Sequence, residues 1–252
     1  MLKIIISGCN GRMGQMLTNV CNSFEDIKIV AGFDITENSN ALYPVFTNPE
    51  DYTGEADVLV DFSAPAALDG ILTFCMSRNM SAVLCATGYV QEQLEKIAAA
   101  AYHIPVFRSA NMSLGVNLMI DLVKKAAEIL YEGFDIEIVE KHHNMKVDAP
   151  SGTAIMLAES VASALPYKPE YVYDRNSNYG PRGKNEIGIS SVRGGTIPGE
   201  HEVIFAGNQE VLEIKHTAYS REIFATGAVR AAKFMANVKT PGLYSMKQIL
   251  DA

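Results

Sequence analysis

The chain opens on an apolar run, Lys3 to Ser7, that reads as a strand and ends in a loop, Gly8-Cys9-Asn10-Gly11-Arg12-Met13-Gly14. Beyond it Met13, Met16, Leu17, Val20, Cys21 and Phe24 recur at helical spacing, so strand, glycine loop and helix follow in order. A second run, Ile27 to Phe33, ends in Asp34, and after an irregular stretch over 36–56 the alternation resumes. Val58–Phe62, Ala82–Cys85 and Pro105–Phe107 read as strands, separated by helices from about Pro65 to Arg78 and near Val90–Ala101. Alternation of this kind predicts a doubly wound parallel sheet of the Rossmann type.

The pattern changes after Met112. A helix from Ser113 to about Tyr131 precedes a strand over Asp135–Glu140, a charged loop, and a helix on which Ala154, Ile155, Ala158, Val161, Ala162 and Leu165 recur. Residues 166–185 read as a long exposed excursion, of the kind that is more often a functional or oligomer contact than idle. Strands near 186–193, 201–206 and 210–216 predict a mixed or antiparallel sheet with helices on one face. From Ser220 helical spacing returns through Phe224, Ala225, Ala228, Val229, Ala232 and Met235. The fold class is therefore α/β: an N-terminal Rossmann-like domain with a smaller α+β domain.

Composition narrows the partners. The 252 residues carry a net charge of −8 with no basic stripe, which argues against nucleic acid and anionic membranes. An anionic substrate would need a local basic pocket. No apolar run approaches the length of a membrane span, and the N-terminus enters a strand with no signal-peptide layout, which predicts a cytoplasmic protein. Cys9, Cys21, Cys75 and Cys85 form no CxxC pair and read as reduced packing residues; no metal site is expected.

Two regions carry candidate chemistry. In the first loop Gly8 would make the tight turn, Gly11 would let the backbone approach a pyrophosphate, and Gly14 would allow close packing. The spacing is GxxGxxG rather than GxGxxG. Asp34 stands where an acid bonds adenosine ribose hydroxyls, and an acid there disfavours a 2′-phosphate unless a base compensates; Arg12 could still reach a phosphate. Thr87, Gly88, Ala110 and Asn111, at strand carboxyl ends, are candidates for the nicotinamide side of a cofactor groove.

The second region is Glu140 to Ala154, Glu-Lys-His-His-Asn-Met-Lys-Val-Asp-Ala-Pro-Ser-Gly-Thr-Ala, expected as a loop between strand and helix. Ser151 is a candidate N-cap, and the first helical turn offers unpaired N–H groups to a carboxylate or phosphate, with Gly152 allowing close approach. Lys146 would add positive charge or donate a proton. His142 and His143 titrate near neutrality, so either could act as a general acid.

This stretch closely resembles the signature of the 4-hydroxy-tetrahydrodipicolinate (dihydrodipicolinate) reductases of lysine biosynthesis. The match runs through Glu137, Glu140, His142, His143, Lys146, Asp148, Pro150, Ser151, Gly152, Thr153 and Ala154. Met145 departs from it, standing where some members carry a third basic side chain.

The resemblance implies a domain of residues 1–112 and 220–252 that binds NADH or NADPH, and a domain of residues 113–219 that binds substrate and joins a homotetramer through its sheet. It implies cofactor contacts from Gly8, Cys9, Asn10, Gly11, Arg12, Met13 and Asp34, and from Cys85, Ala86, Thr87, Ser109, Ala110, Asn111 and Met112. With Ile35 and Thr36 following Asp34, where some members carry an arginine, NADH or dual use is expected. The substrate implied is a small dicarboxylate. His142 would be the general acid and Lys146 a second donor, with His143, Ser151, Gly152 and Thr153 on the carboxylates. Arg221 matches a basic residue near the family's domain junction, as a substrate contact or an ion-pair partner.

Two rival readings are a different reductase on the same plan and a non-enzymatic NAD-binding scaffold. A phosphorylating semialdehyde dehydrogenase would need a cysteine in the second domain, and all four cysteines precede residue 86. A scaffold would have no need of clustered proton donors.

Overall fold

The computed structural model describes residues 1–176 and 180–251. The chain forms two compact units, Met1–Leu114 with Glu222–Ala252, and Gly115–Arg221.

The first unit contains β1 (Leu2–Ser7), α1 (Arg12–Asn22), β2 (Ile27–Phe33), β3 (Val45–Phe46), β4 (Val58–Asp61), α2 (Leu68–Ser77), β5 (Ser81–Leu84), α3 (Gln91–Ala100) and β6 (Pro105–Arg108). The second contains nearly all of α4 (Leu114–Leu130), then β7 (Asp135–His142), α5 (Gly152–Ala164), β8 (Glu170–Val172), β9 (Glu186–Arg193), β10 (Gly199–Ala206) and β11 (Val211–Ala218). The chain then returns to the first unit with α6 (Glu222–Asn237), β12 (Gly242–Tyr244) and α7 (Met246–Leu250).

The first sheet has the order β12-β6-β5-β4-β1-β2-β3, and all its pairs are parallel. Burial on both faces explains why β4 and β5 are buried throughout. Ile4, Ile6, Val58, Val60 and Val83 pack on one side with residues of α1 and α6, while Ile5, Leu59, Ala82, Leu84 and Val106 pack on the other with residues of α2 and α3. The strand order reverses between β4 and β2 on either side of β1, the position where such sheets open a ligand crevice. Two edge strands were not legible: β3 lies in the stretch expected to be irregular, and β12 follows the last helix. With two and three residues they are too short to show a period, and pairing alone makes them strands.

The second sheet has the order β11-β10-β7-β9-β8 and is mixed: β7 pairs parallel with β9 and antiparallel with β10. Its inward residues Ile136, Ile138, Ile187, Ile189, Val203 and Phe205 pack against Met119, Val123 and Ala127 of α4 and Leu157, Ala158 and Val161 of α5. Strand alternation puts Glu137, Val139 and Lys141 on the opposite face, where Lys141 and Lys215 both bridge to Glu200 at 3.3 and 2.8 Å. The excursion is not wholly irregular, because β8 pairs with β9. It is also anchored: Arg175 and Arg182 both bind the signature carboxylate Glu137, at 2.7 and 2.9 Å. Residues 177–179 of the excursion lie outside the described residues.

Candidate functional site

The strand expected to end at Glu140 runs two residues further. β7 continues to His142, because β9 pairs with it as far as Arg193 and β10 as far as Glu200. Central pairing on both sides overrides the polar composition, and alternation turns Glu140 and His142 inward and Lys141 outward. Two polar side chains are thereby buried at the end of a hydrophobic row.

Glu140 is fully buried and fully partnered. Arg193 donates to both its oxygens, at 2.8 Å to Oε2 and 2.7 Å to Oε1. The Ser151 N–H donates to Oε1 at 3.1 Å, and His142 Nδ1 lies 2.7 Å from Oε2. Burial pulls the carboxyl up, but Arg193, His142, Ser191 and the Ser151 N–H outweigh it and hold the group down at about 2. Arg193 also donates to the Asp148 carbonyl at 2.8 Å, tying the end of β9 to the loop.

His142 is buried, and burial pushes its imidazole below the ordinary 6.5, with Lys146 and Arg193 adding to the push and Glu140 opposing it. Its ring meets His201 edge to face at 5.2 Å. His201 is pushed down to about 4, by burial and then by His142. Beside it on β11, His216 is also lowered by burial, and its Nδ1 is buried with no hydrogen-bond partner among the described residues.

The loop places the remaining residues. Lys146 binds Asp148 through both carboxylate oxygens, at 2.7 and 2.8 Å. His143 is half-buried at the end of β7. Ser151 caps α5 by accepting from the Ala154 N–H, and its hydroxyl also meets His201 Nε2 at 2.8 Å. With its N–H on Glu140 as well, Ser151 builds the site from beneath. Gly152 and Thr153 begin α5; a methyl group on Gly152 would meet nothing within 4 Å, so the helix start is open there. Arg221 is exposed, at the last position of its unit.

In the first unit the glycine loop has the geometry a dinucleotide requires. Gly8 has φ +74°, and a Cβ there would lie 2.7 Å from the Ser63 nitrogen; a Cβ on Gly14 would lie 2.2 Å from the Gly8 carbonyl oxygen. Only glycine permits both approaches. Gly11 is the N-cap of α1 with no side-chain cap, which leaves the first N–H groups of that helix for an anion. A cavity of about 480 Å³ joins Gly8, Gly11, Asp34 and Ile35 with apolar groups of Pro49, Ala67 and Ile71. A second, of about 310 Å³, gathers Met13, Cys85, Ala86, Thr87, Ser109, Ala110, Asn111 and Met112.

Two residues of the first loop, Cys9 and Asn10, work from behind it. Cys9 is buried with its sulfur against Gly32, and burial pushes its thiol up to about 11, so it offers a ligand only its backbone. Asn10 donates its N–H to Asp34 at 2.9 Å and its side chain to the Thr36 carbonyl at 2.8 Å. Arg12 is exposed at the first position of α1.

Four residues of the two sites were not among the sequence candidates: Glu140 as an anchor, Arg193, His201 and Asp61. Asp61 is fully buried at the end of β4, accepts from the Ser63 N–H at 2.9 Å, and so fixes the Ser63 loop that meets Gly8. Burial pushes its carboxyl up. A charged residue closing a buried strand was the available signal for Asp61, and the Arg-Gly-Gly turn that for Arg193.

Sequence comparison meets this geometry. The family model "Dihydrodipicolinate reductase, N-terminus" matches residues 2–112, and "Dihydrodipicolinate reductase, C-terminus" matches residues 115–250. The chain belongs to the dihydrodipicolinate reductase family. Among curated relatives, the 4-hydroxy-tetrahydrodipicolinate reductase of Clostridium tetani is 48% identical, covering 100% of this chain and 98% of that one. That of Clostridium novyi is 49% identical over 100% and 99%. Among solved structures, a dipicolinate-bound dihydrodipicolinate reductase from Paenisporosarcina sp. TG-14 superposes with a TM-score of 0.83 at 27% identity, covering 97% of each chain. The two-part architecture is thus that of the dihydrodipicolinate reductases. Among the described residues no helix is long and apolar enough to cross a membrane.

Proposed function

We propose that this chain reduces 4-hydroxy-tetrahydrodipicolinate to tetrahydrodipicolinate with a nicotinamide dinucleotide, in the diaminopimelate route to lysine. The observation that carries the reading is the β7–α5 segment: His142, Lys146 and an open helix start stand together in a chain that matches curated reductases from end to end.

In this reading the substrate's carboxylates are held by the N–H groups of Gly152 and Thr153, by His143 and by Lys146, with Arg221 as a further cation. The helix start and Lys146 supply positive charge in a protein whose net charge is −8. His142 gives the proton that balances the added hydride, and Lys146 is a second donor that also orients a carboxylate.

The dinucleotide lies on the first unit. Gly8, Gly11 and the start of α1 receive its pyrophosphate, Asp34 its ribose, and the 85–87 and 109–112 segments its nicotinamide. When bound it supplies the hydride. Asp34 is followed by Ile35 and Thr36 rather than a base, which supports NADH, or use of both dinucleotides. We place the protein in the cytoplasm as a homotetramer. The open face of the second sheet, where Val139, Ile204 and Val192 are only partly covered, supports that assembly.

The test follows nicotinamide absorbance with substrate generated from pyruvate and aspartate semialdehyde by the preceding synthase. Wild type, His142→Gln and Lys146→Ala are compared with NADH and NADPH. Turnover by wild type and a collapse of kcat in both variants is expected. A folded wild type inactive with both dinucleotides defeats the reading.

A further inference from the structure

Glu140 is a carboxylate with no solvent contact, yet four hydrogen bonds converge on it from three separate elements. Two come from Arg193 at the end of β9, one from the N-cap of α5, and one from His142 on its own strand. A bidentate guanidinium and a backbone N–H keep the carboxylate ionised, and an ionised carboxylate can only accept. The hydrogen between Glu140 Oε2 and His142 Nδ1, 2.7 Å apart, therefore sits on the imidazole nitrogen. That fixes the tautomer of a neutral ring: Nδ1 carries hydrogen and Nε2 carries the lone pair.

Nε2 faces Gly199, where a Cβ would stand 3.1 Å away, so the missing side chain leaves room beside the reactive nitrogen. The groups around the ring are mixed. Glu140 from β7 favours the imidazolium, while Lys146 from the loop, Arg193 from β9 and burial oppose it; His201 from β10 stands edge to face, with His216 behind it. Asp148 is engaged with Lys146, and Ser151 with His201. The balance lies below 6.5, so the ring at rest is the neutral species and carries no proton on Nε2. A proton donor in that state must first be loaded. The negative charge of a bound dicarboxylate would offset Lys146 and Arg193 and favour the imidazolium.

We propose that Glu140, clamped by Arg193, is the positioning residue of the proton donor: it locks His142 with hydrogen on Nδ1, so that Nε2 takes a proton from solvent when the dicarboxylate binds and delivers that proton to the substrate. The inference rests on the assignment of His142 as the donor. The balance is simple. Binding forms one Nε2–H bond at the expense of a solvent proton; reduction breaks it, and the proton joins the atom of the substrate made basic by the incoming hydride. The ring returns to its neutral form, and each turnover consumes one proton from solution.

The test is calorimetric. Binding of pyridine-2,6-dicarboxylate is measured at pH 7.5 in buffers of different ionisation enthalpy, which gives the number of protons taken up. Wild type should take up most of one proton, about 0.5 to 1. His142→Gln should take up none. Glu140→Gln should bind the dicarboxylate with its uptake largely lost, and its kcat should fall by about 10²-fold or more with little change in KM. The basic limb of its kcat–pH profile should move to lower pH, whereas Glu140→Asp, which keeps the charge, should recover part of that limb. A merely structural role would lower the amount of folded enzyme and leave the limb where it is. Absence of proton uptake in wild type overturns the proposal, and so does equal uptake in wild type and His142→Gln. If Glu140→Gln does not fold, the two uptake measurements still test the loading of His142, and Glu140→Asp tests the positioning role: a basic limb identical to that of wild type overturns it. Dicarboxylate binding with proton uptake but no turnover of the reductase substrate would defeat the functional reading and leave the loading of His142 standing.

Discussion

Ser151 Oγ lies 2.8 Å from His201 Nε2 and accepts the Ala154 N–H at 3.2 Å. A hydroxyl oxygen can accept twice and donate once, so this one side chain serves both the helix N–H and the imidazole. The start of α5 is thus tied to a histidine whose charged form burial disfavours.

A pH dependence of stability follows. Burial holds His201 at about 4, below its unfolded value of 6.5, so the unfolded chain binds more protons between these values. The associated stability is complete above 6.5 and is lost as pH falls toward 4, by roughly 3 kcal/mol for this group. Glu140, held at about 2 against 4.5 unfolded, adds a further loss between those values. Thermal unfolding followed from pH 8 to pH 4 should show Tm beginning to fall near 6.5, ahead of ordinary carboxylate titration. His201→Gln should flatten that first phase; an unchanged slope would show that His201 does not titrate there.

Lys146 and Asp148 form a bidentate pair, but Asp148 is largely exposed. Such a pair contributes under about 1 kcal/mol to stability. Asp148→Asn should therefore leave Tm within about 2 °C of wild type. Lys146→Ala should lower kcat by about 10²- to 10⁴-fold. Steady-state rates and thermal scans on both variants separate the roles, and equal kcat losses would make the pair a single functional unit.

Gly14 and Gly70 are both helical, yet substitution should move stability in opposite directions. A Cβ on Gly14 would lie 2.2 Å from the Gly8 carbonyl oxygen, and one on Gly70 would touch nothing within 4 Å. Gly14→Ala should lose about 1–3 kcal/mol and weaken NADH binding, because the pyrophosphate loop must move. Gly70→Ala should gain up to about 1 kcal/mol from helix propensity. Denaturant unfolding of the two variants checks the contrast.

Ile35 is 92% exposed and borders the cavity that contains Asp34. Its side chain can be exchanged with little effect on the core. Ile35→Arg should place a cation where a 2′-phosphate would lie and raise kcat/KM for NADPH relative to NADH by about tenfold or more, a shift of about 1.4 kcal/mol. An unaltered ratio would locate cofactor discrimination elsewhere, with Arg12 as the next residue to vary.

Local pattern was enough for much of this protein. Lys3–Ser7 followed by three glycines and a helical stripe specifies strand, phosphate loop and helix, since period and turn chemistry are properties of neighbouring residues. The same holds for Ser151 at the start of α5, where the cap bond spans three residues. The edge strands β3 and β12 were invisible because they are strands only by pairing. The full length of β7 was hidden for the same reason: two flanking strands carry it through a charged sequence to His142.

What only the tertiary structure decided is how the site's charges are paired. Arg193 reaches Glu140 across 53 residues of sequence, and His201 reaches Ser151 across 50. No periodicity links positions that far apart; sheet order and register bring them together, and burial then makes each partner obligatory. The sequence by itself therefore named the residue types able to hold an anion and move a proton. The fold chose which nitrogen of His142 faces Glu140, because that choice depends on a buried carboxylate and on the arginine that keeps it charged.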